Sequence, residues 1–437
     1  MTRQPIDDPA ETPPSYWAAT ASPGPEIPVF DGDMQADIAV VGAGYTGLSA
    51  ALHLADRGLS VLVLDAHEPG WGASGRNNGQ VVAALKHEPH KIEDHFGLER
   101  GRELIRAVGA GPDLVFSLIE RFGIDCDARR CGIITAAHSS AAFGDLRRRV
   151  EIWVARGVPL EVLDAQDLAQ RSGTDFYTGG CIDPRGGAIN PLGYARGLAR
   201  AVLECGGAIR RDAHVFSIGR DSIAGWRLKL DRGEVRASKV ILATNAYTDR
   251  VWPGLRRTFL PSRTPQIVSA PLGENQRRSI LPGGEIMSDT RYLTVGVRMH
   301  PDGRLHLGGG NGTAGGETPA LFEELARHGR ILFPHLGELT WEYRWSGHMA
   351  MTTDRYPRLF ELAPDAAAAL GYSGRGICTA TIMGRELARW ASGEARIDDL
   401  VLPLSTFRTL PYYPLRDLIV EGAVVYHRLR AQLAAGR

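Results

Sequence analysis

Lysine and long apolar stretches are the two things this 437-residue chain has least of. Its lysines are Lys86, Lys91, Lys229 and Lys239, so arginine supplies nearly all of the positive charge. The 50 basic and 50 acidic residues cancel, which excludes a general electrostatic attraction to nucleic acid or to anionic membranes. No stretch approaches the roughly 18 apolar residues of a membrane span, and the N-terminus lacks the pattern of a signal peptide. We therefore expect a cytoplasmic protein.

The cysteines are few and scattered, and no two of them form the CxxC pair that metal and redox sites favour. They are Cys126, Cys131, Cys181, Cys205 and Cys378. This odd, unpaired set is typical of a reducing compartment. We therefore predict neither structural disulfides nor a bound metal.

The chain does have a glycine-rich turn in an informative setting. A strand-like stretch precedes Gly42, Gly44 and Gly47, which form a GxGxxG turn; a helical stretch follows, and a second strand ends in Asp65. In such a unit the glycines permit the tight turn, the approach of a phosphate and close helix–strand packing. The unpaired N–H groups at the start of the helix attract the anion. The pattern predicts a dinucleotide site in which Asp65 accepts hydrogen bonds from a ribose and repels a 2′-phosphate.

Other segments indicate that the cofactor domain is assembled from pieces far apart in sequence. Residues 239–246 form an unbroken apolar strand that ends in small polar residues, as expected for the centre of a parallel sheet beside a ligand. We expect an α/β protein with a Rossmann-like cofactor domain built from discontinuous segments, and an inserted α+β substrate domain built on a mostly antiparallel sheet. The expected boundaries are 1–35 for an N-terminal arm, 36–90, 187–255 and 341–395 for the cofactor domain, 91–186 and 256–340 for the substrate domain, and 396–437 for a C-terminal tail and helix.

Three further segments carry a family likeness. They are residues 72–80 (GASGRNNGQ), 243–247 (ATNAY) and 371–377 (GYSGRGI). Together with the GxGxxG turn, they resemble the FAD-dependent amine and amino-acid oxidoreductases of the D-amino-acid oxidase and sarcosine oxidase superfamily. Within it, the chain looks most like the gamma-glutamylputrescine oxidases. The resemblance implies an FAD-dependent oxidoreductase that acts on CH–NH or CH–NH2 groups.

The resemblance and the residue types together predict the members of the site. The residues expected to bind FAD are Gly42, Gly44, Tyr45, Thr46, Gly47, Asp65, Ala66, Gly72, Ala73, Ser74, Gly75, Arg76, Asn77, Asn78, Gly79, Gln80, Val215, Ala243, Thr244, Asn245, Gly347, Gly374, Arg375, Gly376 and Ile377. The catalytic candidates are Gln80, Trp345, His348 and Tyr372, and Arg375 is a further candidate for the substrate side. An aromatic lining suits a cationic amine, and an imidazole can take up a proton near neutral pH.

Departures from the family patterns carry expectations of their own. Relatives that bind the flavin covalently have a histidine after a tryptophan, or a cysteine before a Thr-x-Asp stretch. Here Trp71 is followed by Gly72, and residues 346–349 contain no cysteine, so we expect noncovalent FAD. Cys378 stands where sarcosine oxidases have a lysine that holds a substrate carboxylate. An amine substrate is therefore favoured over a small α-amino acid.

The expected reaction is oxidation of a C–N bond in a primary or secondary amine such as gamma-glutamylputrescine. Hydride passes to flavin N5, the imine hydrolyses to a carbonyl compound, and the flavin is reoxidised by O2, giving H2O2, or by another acceptor. One alternative is a D-amino-acid or N-methylamino-acid dehydrogenase or oxidase, which needs an arginine for the carboxylate. The available candidates are Arg76, Arg291, Arg298 and Arg344. Another alternative is a flavin-binding protein without its own substrate. The sequence predicts no particular oligomeric state.

Overall fold

The structure is a computed structural model that describes residues 12–221, 225–309 and 317–435, with side chains described as far as residue 427. The strands are β1 (Met34–Val41), β2 (Val61–Leu64), β3 (Gln80–Val81), β4 (Ile133–Ala136), β5 (Glu161–Leu163), β6 (Gly180–Asp183), β7 (Gly187–Ala188), β8 (Ala208–Arg210), β9 (Val215–Asp221), β10 (Gly225–Leu230), β11 (Gly233–Leu242), β12 (Leu260–Pro271), β13 (Ile286–Asp289), β14 (Val295–Met299), β15 (Arg304–Gly309), β16 (Trp341–Met351), β17 (Arg358–Ala363) and β18 (Ala366–Leu370). The α-helices are α1 (Tyr16–Thr20), α2 (Tyr45–Ala55), α3 (Pro89–Phe96), α4 (Leu98–Gly109), α5 (Gly111–Arg121), α6 (Ser140–Val154), α7 (Ala165–Ser172), α8 (Pro191–Glu204), α9 (Glu274–Ser279), α10 (Pro319–Leu332), α11 (Gly376–Ala391) and α12 (Arg416–Ala435).

The first sheet is parallel at its centre. Strands β18, β11, β1, β2 and β8 lie side by side in that order and run parallel. Antiparallel β17 extends one edge, and the hairpin β9–β10 pairs with the first half of β11. All four residues of β2 are buried apolar side chains, because both faces of a parallel sheet are covered. The register sets Val41 opposite both Leu64 and Leu242, so β1, β2 and β11 end at the same level.

The second sheet is mostly antiparallel. Its order is β16–β12–β15–β14–β13–β4–β6–β5, and β13 with β4 is its parallel pair. Helix α10 packs its apolar face, including Phe322 and Leu325, into the core on this sheet. The α/β fold class with a parallel cofactor sheet and a second antiparallel sheet is therefore confirmed. The expected cofactor domain includes residues 341–395, but strand β16 within that range belongs to the second sheet, because it pairs with β12.

The described part of the N-terminal arm is packed onto the body. Ser15 caps α1 by accepting a hydrogen bond from the Ala18 N–H, and the ring of Trp17 is 1% exposed. Tyr16 and Phe30 are also buried, so these three aromatic side chains hold the arm on the core. Residues 1–11 lie outside the described part of the chain.

Three features bear on the broad class of the protein. Among the helices that the structure describes, none has both the length and the hydrophobicity of a bilayer span. The five cysteines are free thiols. The described residues contain no group of three or more His, Cys, Asp or Glu side chains that could hold a metal ion.

Candidate active site

Two adjoining cavities lie beyond the carboxyl ends of β1, β2 and β11. One, of about 400 Å³, is enclosed by the ends of these strands and is called the sheet-end cavity here. The other, of about 600 Å³, is lined from the first sheet's loops and from strands of the second sheet, and is called the inter-sheet cavity. The linings share Gly44, Ala73, Ser74, Ala243 and Asn245. An elongated ligand could therefore extend from one cavity into the other.

The GxGxxG turn is built so that backbone, not side chains, faces the junction of the cavities. Gly42 has φ +107°, and a Cβ there would lie 3.0 Å from the Ala243 carbonyl oxygen. A Cβ on Gly47 would lie 1.9 Å from the Gly42 carbonyl oxygen, so helix α2 packs directly on the turn. Gly44 precedes α2, whose N-terminal N–H groups and dipole favour an anion at the junction.

Asp65 supports this turn from the end of β2. Its Oδ2 accepts a hydrogen bond from the Ala43 N–H at 2.5 Å, and its Oδ1 accepts one from the His67 N–H at 2.8 Å. The carboxyl group lines the sheet-end cavity. Burial raises the pKa of Asp65 to about 6, against the lowering effect of the two N–H groups. Each carboxylate oxygen has a second lone pair, so the predicted contact with a ribose is compatible with these bonds.

The loop of residues 72–80 is held against α2 by its own polar groups. Ser74 Oγ accepts a hydrogen bond from the Tyr45 N–H at 3.0 Å, and the Tyr45 hydroxyl donates to the Ser74 carbonyl oxygen at 2.6 Å. The Asn77 amide donates to the same carbonyl at 3.0 Å. Trp17 of the arm donates from Nε1 to the Asn77 carbonyl oxygen at 2.9 Å. The N-terminal arm therefore fixes a wall of the inter-sheet cavity.

A second helix N-terminus reaches the inter-sheet cavity from the other end of the sequence. The Tyr372 hydroxyl lies 2.7 Å from Thr46 Oγ1, which joins the turn before α11 to the start of α2. Asn245, after β11, accepts a hydrogen bond from the Gly371 N–H at 2.9 Å. Gly376 and Ile377 open α11 and line the same cavity as Thr46. Three segments that are far apart in sequence therefore meet around one space.

Most of the residues predicted to bind FAD line one or both cavities. Those in the linings are Gly42, Gly44, Tyr45, Thr46, Asp65, Ala66, Gly72, Ala73, Ser74, Asn77, Asn78, Gln80, Val215, Ala243, Thr244, Asn245, Gly374, Arg375, Gly376 and Ile377. Those in neither lining are Gly47, Gly75, Arg76, Gly79 and Gly347.

The five predicted residues outside the linings support the cavity walls. Arg76 is buried, donates from Nε to the Trp71 carbonyl oxygen at 2.7 Å, and lies over the Trp71 ring. A Cβ on Gly347 would lie 2.9 Å from the Cβ of Arg76, and one on Gly75 would lie 2.3 Å from the Gly70 carbonyl oxygen. Gly79 has φ +77°, and its Cβ would lie 2.2 Å from the Ile189 carbonyl oxygen. These positions allow close packing behind the cavity walls, and their contact with FAD stays a prediction.

The four catalytic candidates divide into two pairs. Gln80 and Tyr372 line the inter-sheet cavity. Trp345 and His348 line neither cavity, although both are buried. Trp345 donates from Nε1 to the Arg76 carbonyl oxygen at 3.0 Å, and Arg263 donates to His348 Nε2 at 2.8 Å.

The two side chains of β16 therefore support the wall, in contrast to their expected place beside the substrate. The alternation of side chains along a strand decides which residues face a cavity, and this depends on strand register. Cys378 also lies away from the linings. A Cβ on Gly111 of α5 would lie 2.7 Å from the Cβ of Cys378, and burial raises the pKa of its thiol to about 12.

Sequence reasoning missed three of the five basic side chains of the inter-sheet cavity, namely Lys86, Arg149 and Arg355. Lys86, Arg149, Arg291 and Arg355 line it together with the predicted Arg375. They come from loops and helices with no motif in common. Arg291 had been noted as a possible carboxylate ligand, but the other three carried no signal beyond their charge.

Comparison with known proteins decides the family. The family model for FAD-dependent oxidoreductases known as DAO matches residues 37–390. The chain belongs to this family of FAD-dependent oxidoreductases. It is 34% identical, over 428 residues, to gamma-glutamylputrescine oxidoreductase of Escherichia coli (strain K12), covering 96% of this chain and 98% of that protein.

Solved structures agree on the fold. L-proline dehydrogenase from P. horikoshii superposes with a TM-score of 0.71 and 19% identity, over 84% of this chain and 96% of that one. Glycine oxidase from Geobacillus kaustophilus gives a TM-score of 0.70 with 22% identity, over 87% of this chain and 98% of that one. The protein is thus a DAO-family FAD-dependent oxidoreductase with the fold of these flavoenzymes.

The residues present fit FAD. Two helix N-termini, the glycine turn after β1 and the carboxyl group of Asp65 surround the adjoining cavities, and a Cβ on Gly376 would meet nothing within 4 Å. Arg375 has a buried Nε that lacks a hydrogen-bond partner, and it lines the cavity at the start of α11. A cation and a helix N-terminus are suited to the negative charge that a reduced flavin carries. The absence of a covalent bond to the flavin remains a prediction.

Proposed function

We propose that this enzyme oxidises a C–N bond of a primary or secondary amine of the gamma-glutamylputrescine type. The observation that carries the proposal is the inter-sheet cavity, which joins the FAD-binding segments to side chains of the second sheet. The 34% sequence identity to the Escherichia coli gamma-glutamylputrescine oxidoreductase, over 96% of this chain, supports the same substrate class. Residues of both sheets would then act on one amine.

When bound by the residues that line the two cavities, FAD would supply the two-electron acceptor for oxidation of the C–N bond, and hydrolysis of the imine product would give a carbonyl compound. The protein's own part is to orient the amine. Gln80 donates from Nε2 to Asn78 Oδ1 at 3.0 Å, which leaves its amide oxygen available to accept from an ammonium or amine. Tyr372 shares its hydroxyl with Thr46, and burial raises its pKa, so it remains a hydroxyl at neutral pH. Electrons leave to O2, giving H2O2, or to another acceptor.

An anaerobic titration tests this proposal. The holoenzyme is mixed with gamma-glutamylputrescine, putrescine, N-acetylputrescine and a panel of D- and N-methylamino acids, and the absorbance of oxidised flavin is followed. Bleaching by amines, followed by recovery and peroxide formation when O2 is admitted, is the expected result. Bleaching by amines without reoxidation by O2 would indicate a dehydrogenase that uses another acceptor. A flavin that no compound reduces would refute the proposal and favour a flavin-binding protein without its own substrate.

A second candidate, a D-amino-acid or N-methylamino-acid dehydrogenase or oxidase, is favoured by the basic side chains of the cavity, since such substrates carry a carboxylate. Of the four arginines considered from sequence, Arg291 lines the cavity, but its Nε donates to Asp289 at 2.6 Å. Arg76 and Arg298 are buried outside the lining, and Arg344 is exposed. Bleaching by amino acids, with no response to amines, would establish this alternative.

A further inference from the structure

The inter-sheet cavity carries an excess of positive charge. Its charged lining residues are Lys86, Arg149, Asp289, Arg291, Arg355 and Arg375. Asp289 and Arg291 form a pair with each other, and the Tyr177 hydroxyl also donates to Asp289, at 3.3 Å. The carboxylate of the lining is therefore already satisfied. Four cations remain.

These four cations are unpaired and close together. Within the described residues, no ion pair and no side-chain hydrogen bond engages Lys86, Arg149, Arg355 or Arg375. Repulsion by Arg375, with burial and repulsion by Arg355 and Arg149, lowers the pKa of Lys86 to about 7. Burial and repulsion by Arg149 lower the pKa of Arg375 to about 10. Like charges gathered in a partly buried space are costly unless an anion is bound among them.

The cations extend from the turn before α11 to the mouth of the cavity. Arg375 immediately precedes α11, and the Lys86 Cε lies 4.0 Å from where a Cβ on Gly374 would be. At the other end, the Arg355 guanidinium lies 5.0 Å from the ring centroid of Tyr292, which is 52% exposed. The Arg375 charge can serve the flavin, as argued above. Among the described residues, the other three cations then have no anionic partner, and Arg355 has only the ring of Tyr292.

We propose that Lys86, Arg149 and Arg355 form a subsite for a carboxylate at the end of the substrate remote from the reacting amine. The inference rests on the proposed function and specifies its substrate class: an N-acylated diamine whose acyl group keeps a free carboxylate. Guanidinium groups bind carboxylates through two parallel hydrogen bonds, and an ammonium adds a point charge. An unacylated diamine, which carries two positive charges, is repelled by the same residues. The cluster thus selects for the acylated compound that carries a carboxylate and against its precursor diamine, which has none.

The test compares two acyl compounds on holoenzyme variants. Anaerobic stopped-flow mixing measures the limiting rate of flavin reduction and the apparent Kd for gamma-glutamylputrescine, which keeps the α-carboxylate of its glutamyl group, and for N-acetylputrescine, which has none. We expect Arg149→Gln to raise the apparent Kd for gamma-glutamylputrescine about 10- to 100-fold, as for loss of a charged hydrogen bond. The values for N-acetylputrescine and the FAD content should stay at those of the unchanged enzyme. Arg355→Gln should act in the same way.

Arg147→Gln is the matched control, because Arg147 lies on the same helix α6 but is exposed and outside the cavity lining. It should leave both compounds unaffected. The subsite is overturned if Arg149→Gln and Arg355→Gln weaken both compounds equally, or if they lower FAD content instead. It is also overturned if the unchanged enzyme binds N-acetylputrescine as tightly as gamma-glutamylputrescine. That result would leave the proposed amine oxidation intact. Flavin that no amine reduces would remove the proposed function and the subsite together.

Discussion

Replacing Gly384 by alanine should separate the two helices whose N-termini meet at the cofactor site. Gly384 lies inside α11, where it faces α2. A Cβ at this position would lie 2.5 Å from the Ser49 Cβ, 2.5 Å from the Thr46 carbonyl oxygen and 2.8 Å from the Ala50 nitrogen. Two of these three atoms are backbone, so they cannot move aside by a change of rotamer. The helices themselves must shift.

The sign of the effect follows from two opposing magnitudes. Alanine is favoured over glycine in a helix interior by about 1 kcal/mol. Overpacking in a well-packed interior costs about 1–3 kcal/mol, and the short backbone contacts here place the cost in the upper part of that range. We therefore expect Gly384→Ala to be destabilised by about 1–2 kcal/mol, although its helix propensity improves.

The matched control is Gly422→Ala. Gly422 is inside α12, and a Cβ there would meet nothing within 4 Å, so helix propensity should act alone. The unfolding temperatures of the two apoproteins should then differ by about 2–3 °C, in opposite directions from the unchanged protein. Flavin fluorescence titration should show the Kd for FAD raised on the order of tenfold in Gly384→Ala only, which corresponds to about 1.4 kcal/mol. Equal stability of the two variants, or an unchanged FAD affinity in Gly384→Ala, would refute the claim that α2–α11 packing sets the cofactor site.

Three further changes test other parts of the site. Trp17→Phe removes the hydrogen-bond donor to the Asn77 carbonyl oxygen, and the free energy of FAD binding should become less favourable by about 1–3 kcal/mol. An unchanged Kd for FAD would show that the arm has no part in the site. The pKa of Asp65 is raised to about 6 in the apoprotein, and hydrogen bonds from a ribose would favour the ionised form and lower that pKa. FAD affinity should therefore increase as the pH rises through about 6 and decrease below it. The Asp65→Asn variant should bind FAD more weakly, and its affinity should not change near pH 6. If the variant keeps the pH dependence, the titrating group is not Asp65. His348→Ala should lower the unfolding temperature, because buried Arg263 loses a hydrogen-bond partner. The pH profile of kcat/KM should stay unchanged. A changed pH profile with an unchanged unfolding temperature would show that His348 takes part in catalysis.

The cofactor-binding half of the site was predictable because its signals are local. A strand, a GxGxxG turn, a helix and an acidic strand end are contiguous, and each glycine has a steric reason that can be stated from sequence. Gly42 and Gly47 indeed lie where a Cβ would meet backbone. The strand predicted at 239–246 is confirmed as far as Leu242, where β11 ends beside the cavities, whereas Asn245–Tyr247 form a 3-10 turn. The mostly antiparallel second sheet was also expected and is present.

The substrate side was not predictable in the same way. Trp345 and His348 are three residues apart and point to opposite faces of β16, where Trp345 bonds the Arg76 carbonyl oxygen and His348 bonds Arg263, so neither side chain lines a cavity. Arg76, Gly79 and Gly347 belong to the expected segments but lie behind the walls, because a motif specifies the course of the backbone more closely than the direction of each side chain.

The sequence by itself determined an α/β fold with a dinucleotide site, since periodicity and glycine spacing act over short distances along the chain, and the family resemblance specified FAD as the cofactor. Only the tertiary structure decided that Lys86, Arg149, Arg355 and Arg375 face one another across the inter-sheet cavity. Their charges are separated by tens to hundreds of residues, and no local pattern links them. Helix docking and sheet register bring them together, and the electrostatic field that they produce exists only in the folded protein.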